Sequence, residues 1–321
     1  MGLNFSKFRT SVKSNYLKIK RSSSSINLTN PSLIKKNFHD EFKFIDGRRY
    51  HNVENIHYFF PNDDLEIDRL QLQHYMMRFI WRSNFSSPVR DLLDEGGARV
   101  LDVGCGPATW VLEMASEFPK SEFIGVDVVP VMPLTIKPKN VNFEEANLLD
   151  GLPFPDNHFD FTYIRFLNCA FPFNLWTTHV IPELIRVTKP GGYIEIMEWD
   201  TEIYYQGPIT GQLMDALIKE IRCHNIDDKI PEKMTSFLQD SRKLKNITND
   251  SRDSPIGKHG GKVGTLALDN SISAFKLCET KFAEELGLTL EEYNALFEFY
   301  KKEVDDYKSH IRTHRFWAEK I

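Results

Sequence analysis

The middle of the chain alternates short hydrophobic runs with longer amphipathic segments. Five of the hydrophobic runs have the composition of β-strands: Arg99–Val103, Glu122–Asp127, Val141–Ala146, Phe159–Ile164 and Tyr193–Met197. Amphipathic segments between and after them predict helices over 108–118, 176–187 and 208–223. Strands that are apolar on both faces and alternate with helices are typical of a parallel sheet covered on both sides. We therefore predict a doubly wound α/β core over residues 98–224.

The first 97 residues divide into two parts. Residues 1–37 contain eight Lys or Arg, no Asp or Glu, and too little periodic apolar character to pack, so we predict a disordered, basic, Ser-rich tail. After Pro61, apolar residues recur at near-helical spacing and predict a helix over 64–82. Residues 38–97 are accordingly interpreted as an N-terminal helical cap.

The C-terminal third, residues 225–321, is interpreted as the remainder of the same domain. A helix is expected after Asn270, and the capping box Thr289-x-x-Glu292 precedes an amphipathic segment that predicts another. These two helices would form an insertion before a last strand near 310–318. The fold class predicted for the whole chain is thus α/β, with a doubly wound, mostly seven-stranded, Rossmann-like sheet.

Charge and cysteine content narrow the function classes. The chain has a net charge of -5, and without the basic tail it has 32 basic and 45 acidic residues, a net charge of -13. An acidic body does not suit a phosphate backbone, so no nucleic-acid partner is expected. The four cysteines are far apart and have no metal-ligand spacing, which predicts a reducing compartment and no metal site.

The sequence also bears on location. Its apolar runs are shorter than the roughly 20 residues that cross a bilayer, so we expect an intracellular, cytoplasmic protein. Met1-Gly2 and Ser6 fit the N-myristoylation pattern, and the basic tail would supply the second signal for peripheral membrane contact. A mitochondrial transit peptide and an inert tail remain open as alternatives.

The chemistry centres on the turn that follows the first predicted core strand. Gly104 and Gly106 lack a Cβ, so a ligand can approach the backbone closely at the start of the next helix. Asp127 ends the next strand 21 residues after Gly106, where a carboxylate can accept hydrogen bonds from both ribose hydroxyls. A dinucleotide site would require a third glycine, but Thr109 and Trp110 follow instead. A nucleoside cofactor without a pyrophosphate fits this pattern better than NAD.

These residues resemble class I S-adenosylmethionine-dependent methyltransferases. The likeness lies in Val100-Leu-Asp-Val-Gly-Cys-Gly106, in Asp127 and Asn147, in the segment from Leu152 to Asp160, and in Lys189-Pro-Gly-Gly192. It implies that Asp127 binds the ribose and that Asn147 and the Leu148 backbone lie beside the adenine. Ala108 stands where a third glycine is frequent, and Asn147 where an acid is common. The candidate cofactor residues are Asp102, Gly104, Cys105, Gly106, Asp127, Val128, Asn147, Leu148 and Arg165.

A narrower resemblance extends upstream. Asp46-Gly-Arg-Arg-Tyr-His51, Tyr58-Phe-Phe-Pro-Asn-Asp-Asp64 and Glu66-x-x-Arg69 are similar to a group of fungal methyltransferases that includes proteins linked to the control of secondary metabolism. The resemblance implies methyl transfer to a small molecule or protein, at oxygen or nitrogen. The alternative is a cofactor-binding regulatory protein with little or no turnover.

No catalytic base can be assigned from the sequence. His57, His74 and His158 are candidates, and Arg165 would either orient a ligand or form a structural ion pair. Cys105 is interpreted as a buried filler. Substrate-pocket candidates are Tyr50, Tyr58, Phe59, Phe60 and the pair Trp199-Asp200. We expect the acceptor pocket to be built from the N-terminal segment and the 225–305 region.

Overall fold

A computed structural model describes residues 42–53, 56 and 58–321. These belong to a compact unit spanning His39–Ile321. The nine strands are β1 Phe42–Ile45, β2 Arg48–His51, β3 Arg99–Val103, β4 Glu122–Asp127, β5 Val141–Glu145, β6 Phe159–Arg165, β7 Thr188–Tyr204, β8 Leu244–Pro255 and β9 His310–Lys320. The main helices among the described residues are α1 Asp64–Trp81, α2 Arg90–Glu95, α3 Thr109–Glu117, α4 Ile181–Val187, α5 Pro208–Cys223, α6 Ile230–Asp240, α7 Gly261–Lys276, α8 Glu279–Leu286 and α9 Leu290–Asp306.

Seven strands form one sheet in the order β5-β4-β3-β6-β7-β9-β8. The strands from β5 to β7 are parallel, and β9 is antiparallel to both of its neighbours. The chain builds outward from β3 in one direction and from β6 in the other. This doubly wound sheet confirms the predicted fold class, and ligands of such sheets bind where the order reverses, at the carboxyl ends of β3 and β6.

A stacked aromatic pair anchors the helix that follows the glycine turn. Trp110, in the first turn of α3, stacks on Tyr163 of β6 with ring centroids 4.1 Å apart and planes 5° apart. The Trp110 indole also donates to the Asn84 carbonyl at 2.9 Å. Both rings are buried. The bulky residue that counts against a dinucleotide site therefore fixes α3 on the sheet.

The N-terminal part contains a β-hairpin in addition to the predicted helix α1. Strands β1 and β2 pair across Asp46-Gly47, and both of these residues have positive φ, 49° and 75°. Asp-Gly is the residue pair that such a tight hairpin turn favours. The helical interpretation of 38–97 was therefore incomplete, because this turn signal was overlooked.

Two elements of the C-terminal third were not predicted, the helix α6 and the edge strand β8. Strand β8 is mostly polar, and only Leu244 and Ser254 are buried along it. Since its one strand neighbour is β9, it needs no alternating apolar face, and its sequence does not differ from that of a loop.

Helix α7 begins at Gly261, nine residues before Asn270, after which a helix is expected. A Cβ on Gly264 would lie 2.1 Å from the Gly257 carbonyl oxygen, so glycine is needed there for close packing, and it does not mark a loop. The capping box at Thr289 and Glu292 is present and begins α9. Helices α7–α9 lie between β8 and β9, which confirms an insertion before the last strand.

The predictions for the N-terminal tail concern residues outside those described. These are disorder over 1–37, acylation, targeting and membrane contact, and they stay predictions. Within the described ranges, no helix is long and apolar enough to span a membrane. The division into 38–97, 98–224 and 225–321 likewise remains an interpretation.

Candidate cofactor site

A cavity opens at the carboxyl ends of β3, β4 and β6, beneath α1 and the segment that precedes it. It is called the first cavity below. All nine of the predicted cofactor residues line it: Asp102, Gly104, Cys105, Gly106, Asp127, Val128, Asn147, Leu148 and Arg165. The parallel sheet brings them together, because the residues after neighbouring strands meet at one edge.

The glycine turn is held against β4. The amides of Gly104 and Cys105 both donate to the Val126 carbonyl, at 2.8 and 3.0 Å. Gly104 has φ +68°, and a Cβ there would lie 2.5 Å from Cδ1 of Leu167. Ala108 also adopts the left-handed conformation, with φ +63°, at the position where a third glycine is frequent. The chain therefore keeps the left-handed backbone there at the expense of some strain.

The Asp127 carboxylate bridges the turns after β3 and β4. One oxygen accepts from the Gly106 amide at 2.7 Å and the other from the Val129 amide at 3.1 Å. Burial raises the pKa of this carboxyl, and the two amide bonds oppose that shift. Each oxygen keeps a further lone pair, so the group can also accept from a pair of ligand hydroxyls.

Asp102 places a second carboxyl in the same cavity. Burial raises its pKa to about 7, with Arg165 acting in the opposite direction and Asp127 adding to the rise. A cation bound beside these two carboxyls would stabilise their ionised forms. The first cavity therefore favours a positively charged ligand group.

Asn147 and Leu148 follow β5. The Asn147 side-chain oxygen accepts from the Leu149 amide at 3.0 Å and so caps the short 3₁₀ turn Leu148–Asp150. This bond fixes the orientation of the carboxamide at the cavity wall. The predicted bond from the Asn147 oxygen to an adenine amino group would have to use the remaining lone pair.

Arg165 ends β6 and is oriented from behind by a hydrogen-bonded chain. Its Nη1 lies 3.3 Å from Nδ1 of His74, whose Nε2 lies 2.6 Å from the Glu113 carboxylate. Burial lowers the pKa of His74 to about 4, so the ring is neutral at pH 7. A neutral ring with both nitrogens engaged cannot take a proton from a substrate, and His74 does not line the cavity. These contacts argue against His74 as the catalytic base.

The other histidine candidates have different outcomes. His158 precedes β6 and therefore lies at the amino end of the sheet, away from the first cavity. It stacks on Phe154 instead. His57 is outside the described residues.

The residues predicted to line a substrate pocket lie in different parts of the structure. Tyr58 lines the first cavity, while Tyr50 and Phe59 line another. Phe60 packs against the apolar core. Trp199 and Asp200 line neither cavity: Trp199 packs against the core, and Asp200 pairs with His314 and Tyr204.

A further wall of the first cavity, for which the sequence predicts no role, comes from α1 and the residues just before it. Glu66, Ile67, Leu70 and Gln73 line the cavity from one face of α1, and Asn62 lines it from the segment that precedes the helix. Asn62 and Glu66 belong to segments noted for their resemblance to fungal methyltransferases. No role could be assigned to them, because a single amphipathic pattern does not show which polar residues face a cavity.

Buried polar atoms test whether this cavity suits a polar ligand. Among the described residues, the Asn62 side-chain nitrogen and the Thr109 hydroxyl are buried without a hydrogen-bond partner, and both residues line the first cavity. Buried donors without partners are rare and costly. A ligand rich in hydrogen-bond acceptors, such as a nucleoside amino acid, would satisfy them.

A second cavity, of about 490 Å³, adjoins the first. Its walls come from the β1–β2 hairpin, from the end of α5 and from the junction of α7 and α8. His51, Ile56 and Tyr58 line both cavities. These three residues therefore lie between the two.

The part of the chain that contains this site is similar to known proteins. Residues 100–192 match the family described as "Methyltransferase domain". "Methyltransferase str3" of Strobilurus tenacellus is 29% identical over 60% of this chain and 68% of its own length. "N-methyltransferase verN" of Clonostachys rogersoniana is 27% identical over 82% of this chain and 92% of its own. "Secondary metabolism regulator laeA" of Coprinopsis cinerea is 30% identical over 49% of this chain and 39% of its own.

The doubly wound sheet, the glycine turn at its switch point and the matched domain define a methyltransferase. The chain carries this methyltransferase domain and has the sheet and the motifs of the class I S-adenosylmethionine-dependent methyltransferases, and the relatives named above are fungal. It is an enzyme that transfers a methyl group from S-adenosylmethionine to an acceptor. The match to the named regulator covers a smaller part of both chains and gives the regulatory alternative little support.

Proposed function

We propose that the nine residues predicted from the sequence bind S-adenosylmethionine in the first cavity. The observation that carries the proposal is their convergence on one cavity at the sheet's switch point. In this arrangement Asp127 accepts from the ribose hydroxyls, and Asn147 with the Leu148 backbone lies beside the adenine. The turn at Gly104 lets the ligand approach the backbone.

When bound, the cofactor supplies an electrophilic methyl group on a sulfonium. The chain contributes electrostatics, because the buried carboxyls of Asp102 and Asp127 favour a positive charge nearby. It also contributes order, because His74 and Glu113 hold Arg165 in one orientation. Since neither His74 nor His158 faces the cavity, we propose that the described part of the enzyme works by alignment and water exclusion.

Calorimetry with S-adenosylhomocysteine tests the cofactor placement. Asp127→Ala removes both the ribose acceptor and the bridge to Gly106, and we expect at least a tenfold loss of affinity. Asp215→Ala is the matched control, because Asp215 lies exposed on α5. Undiminished affinity in Asp127→Ala would contradict the placement.

We also propose that the methyl acceptor is a small molecule that occupies the second cavity. A half-open cavity of about 490 Å³ is in the range of small-molecule pockets, whereas a protein acceptor would need an extended surface. The shared wall of His51, Ile56 and Tyr58 brings this cavity next to the cofactor site. Most of its lining residues belong to the N-terminal segment and the 225–305 region, from which the acceptor pocket is expected, and Glu220 and His224 add the end of α5.

We propose that the acceptor atom is oxygen or nitrogen. Carbon methylation through a cysteine would need a thiolate, and burial raises the pKa of the Cys169 thiol well above its usual range. A relative named as an N-methyltransferase supports nitrogen.

Filling the second cavity tests the acceptor proposal. Thr280 lies exposed at its rim, and Thr280→Trp should block entry of the acceptor. With radiolabelled cofactor and a low-molecular-weight fungal extract, we expect methyl transfer to fall at least tenfold while S-adenosylhomocysteine affinity stays unchanged. Thr265→Trp, on an exposed position of α7 outside both cavities, is the control. Equal turnover in the two variants, or label found only in protein, would contradict the proposal.

A further inference from the structure

Two adjacent arginines of β2 hold the residues that precede α1. Arg48 donates to the Asp63 carboxylate through Nε and, at 2.9 Å, through Nη2. Arg49 donates from Nε to the Asn62 side-chain oxygen at 3.0 Å, and its carbonyl accepts from the Asn62 amide at 2.7 Å. The hairpin is thereby fixed to the start of α1.

This clamp determines which way the Asn62 carboxamide points. A guanidinium group can only donate, so the atom facing Arg49 must be the oxygen, and the NH₂ group must face elsewhere. That nitrogen is buried, has no partner among the described residues, and belongs to a residue lining the first cavity. The structure therefore leaves an unsatisfied donor in a residue of the cofactor-site wall.

Glu66 lies in the same wall, four residues after Asn62, and is 1% exposed. Its two oxygens each accept from Arg69 at 2.6 Å, and Arg69 is in turn held by Asn270 of α7. Each oxygen of this ion pair keeps a lone pair for another donor. Asn62 and Glu66 thus present a donor and an acceptor side by side to the cavity.

We infer that Asn62 and Glu66 recognise the α-amino acid end of the cofactor. Its carboxylate accepts from the Asn62 NH₂ group, and its ammonium donates to Glu66. The inference rests on the proposed position of the cofactor in the first cavity. A methyl acceptor that is itself an amino acid would offer the same chemistry, so the test has to separate the two sources.

Two ligands that differ in the amino-acid end make that separation. S-adenosylhomocysteine carries it, whereas 5′-methylthioadenosine has the same nucleoside without it. Asn62→Asp keeps an oxygen that accepts from Arg49 and replaces the donor by a negatively charged oxygen, which would repel a ligand carboxylate. By calorimetry we expect this variant to lose tenfold or more in affinity for S-adenosylhomocysteine and to bind 5′-methylthioadenosine within twofold of wild type. Asn174→Asp, on an exposed position away from both cavities, should leave both affinities unchanged.

Glu66→Gln tests the second half of the pair in the same way, and thermal melting of each ligand-free variant checks that it folds. The inference is overturned if Asn62→Asp binds S-adenosylhomocysteine as wild type does, since the donor would then serve another group. An equal loss for both ligands also overturns it, because the contact would then be with the nucleoside. Wild-type protein that binds neither ligand would instead contradict the proposed cofactor placement.

Discussion

The two walls of the first cavity differ in the kind of structure that positions their residues. One wall, from Asp102 to Leu148, consists of residues that lie at or just after the carboxyl ends of neighbouring parallel strands. The opposite wall consists of Asn62, just before α1, and of Glu66 on α1, a helix whose Arg69 is held by a residue 201 positions away. The first wall depends on strand order, and the second depends on long-range packing that no local pattern specifies.

The walls also differ in how their charges are compensated. On the strand wall, Asp102 is buried close to Asp127, and its pKa is raised. On the helix wall, Glu66 has a bidentate arginine partner. The strand wall thus holds a charge that a cationic ligand would stabilise, whereas the helix wall is already neutralised by the protein. The buried carboxyls of the strand wall therefore destabilise the ligand-free fold. The charge of Glu66 on the helix wall is compensated within the protein by Arg69.

Breaking the ion pair of the helix wall should have the largest effect. Arg69→Met leaves the buried Glu66 carboxylate without its cation, and we expect the free energy of unfolding to fall by about 3–5 kcal/mol. The double variant Glu66→Met with Arg69→Met should recover most of this loss, since no buried charge remains. Chemical denaturation of both variants measures the difference. If they were equally unstable, the arginine would matter for packing and not for charge compensation.

Removing the buried carboxyl of the strand wall should instead increase the free energy of unfolding. Burial raises the pKa of Asp102 from 3.8 to about 7, so the folded state binds this proton more tightly than the unfolded state does. The stabilising contribution of the protonated carboxyl is complete below about pH 4 and is lost as the pH rises through 7. We expect ligand-free Asp102→Asn to be more stable than wild type at pH 8 by about 2–4 kcal/mol, and this advantage should shrink towards pH 4. Denaturation curves at pH 4, 6 and 8 measure it. An advantage that does not change with pH would show that Asp102 is not the titrating group.

A change in the backbone of the strand wall should have the smallest effect. In Gly104→Ala the new Cβ would meet Leu167 at 2.5 Å, at a φ of +68°. We expect a ten- to thirtyfold loss of S-adenosylhomocysteine affinity, about 1.5–2 kcal/mol. Gly211→Ala is the control, because a Cβ there contacts nothing within 4 Å and the residue lies inside α5. If Gly104→Ala bound the ligand normally, Leu167 would have room to move and the turn would not require glycine.

Prediction from the sequence succeeded for elements whose local pattern of apolar and capping residues is enough to specify them. The core strands, the helix α5 and the capping box of α9 agree with the structure. Strand β8 was missed because an edge strand with one neighbour needs no apolar alternation. The start of α7 was missed because Gly264 serves a close backbone contact that the sequence does not reveal.

The candidate site divides in the same way. The nine cofactor candidates could be named because each lies in or just after a recognisable strand, and their roles remain to be tested. The histidines could not be sorted, since a ring held between Arg165 and Glu113 has the same sequence context as a free base. Asn62 could not be assigned, because the direction of its amide depends on Arg49 of the hairpin.

The sequence by itself determined the class of enzyme, the sheet and the strand wall of the site. These features follow from hydrophobic periodicity and from turns a few residues long, which act over short distances along the chain. The tertiary structure alone decided what covers that wall, which buried groups are paired, and where the second cavity lies. Those properties depend on contacts between distant segments, whose free energies are set by burial and charge pairing in the folded chain.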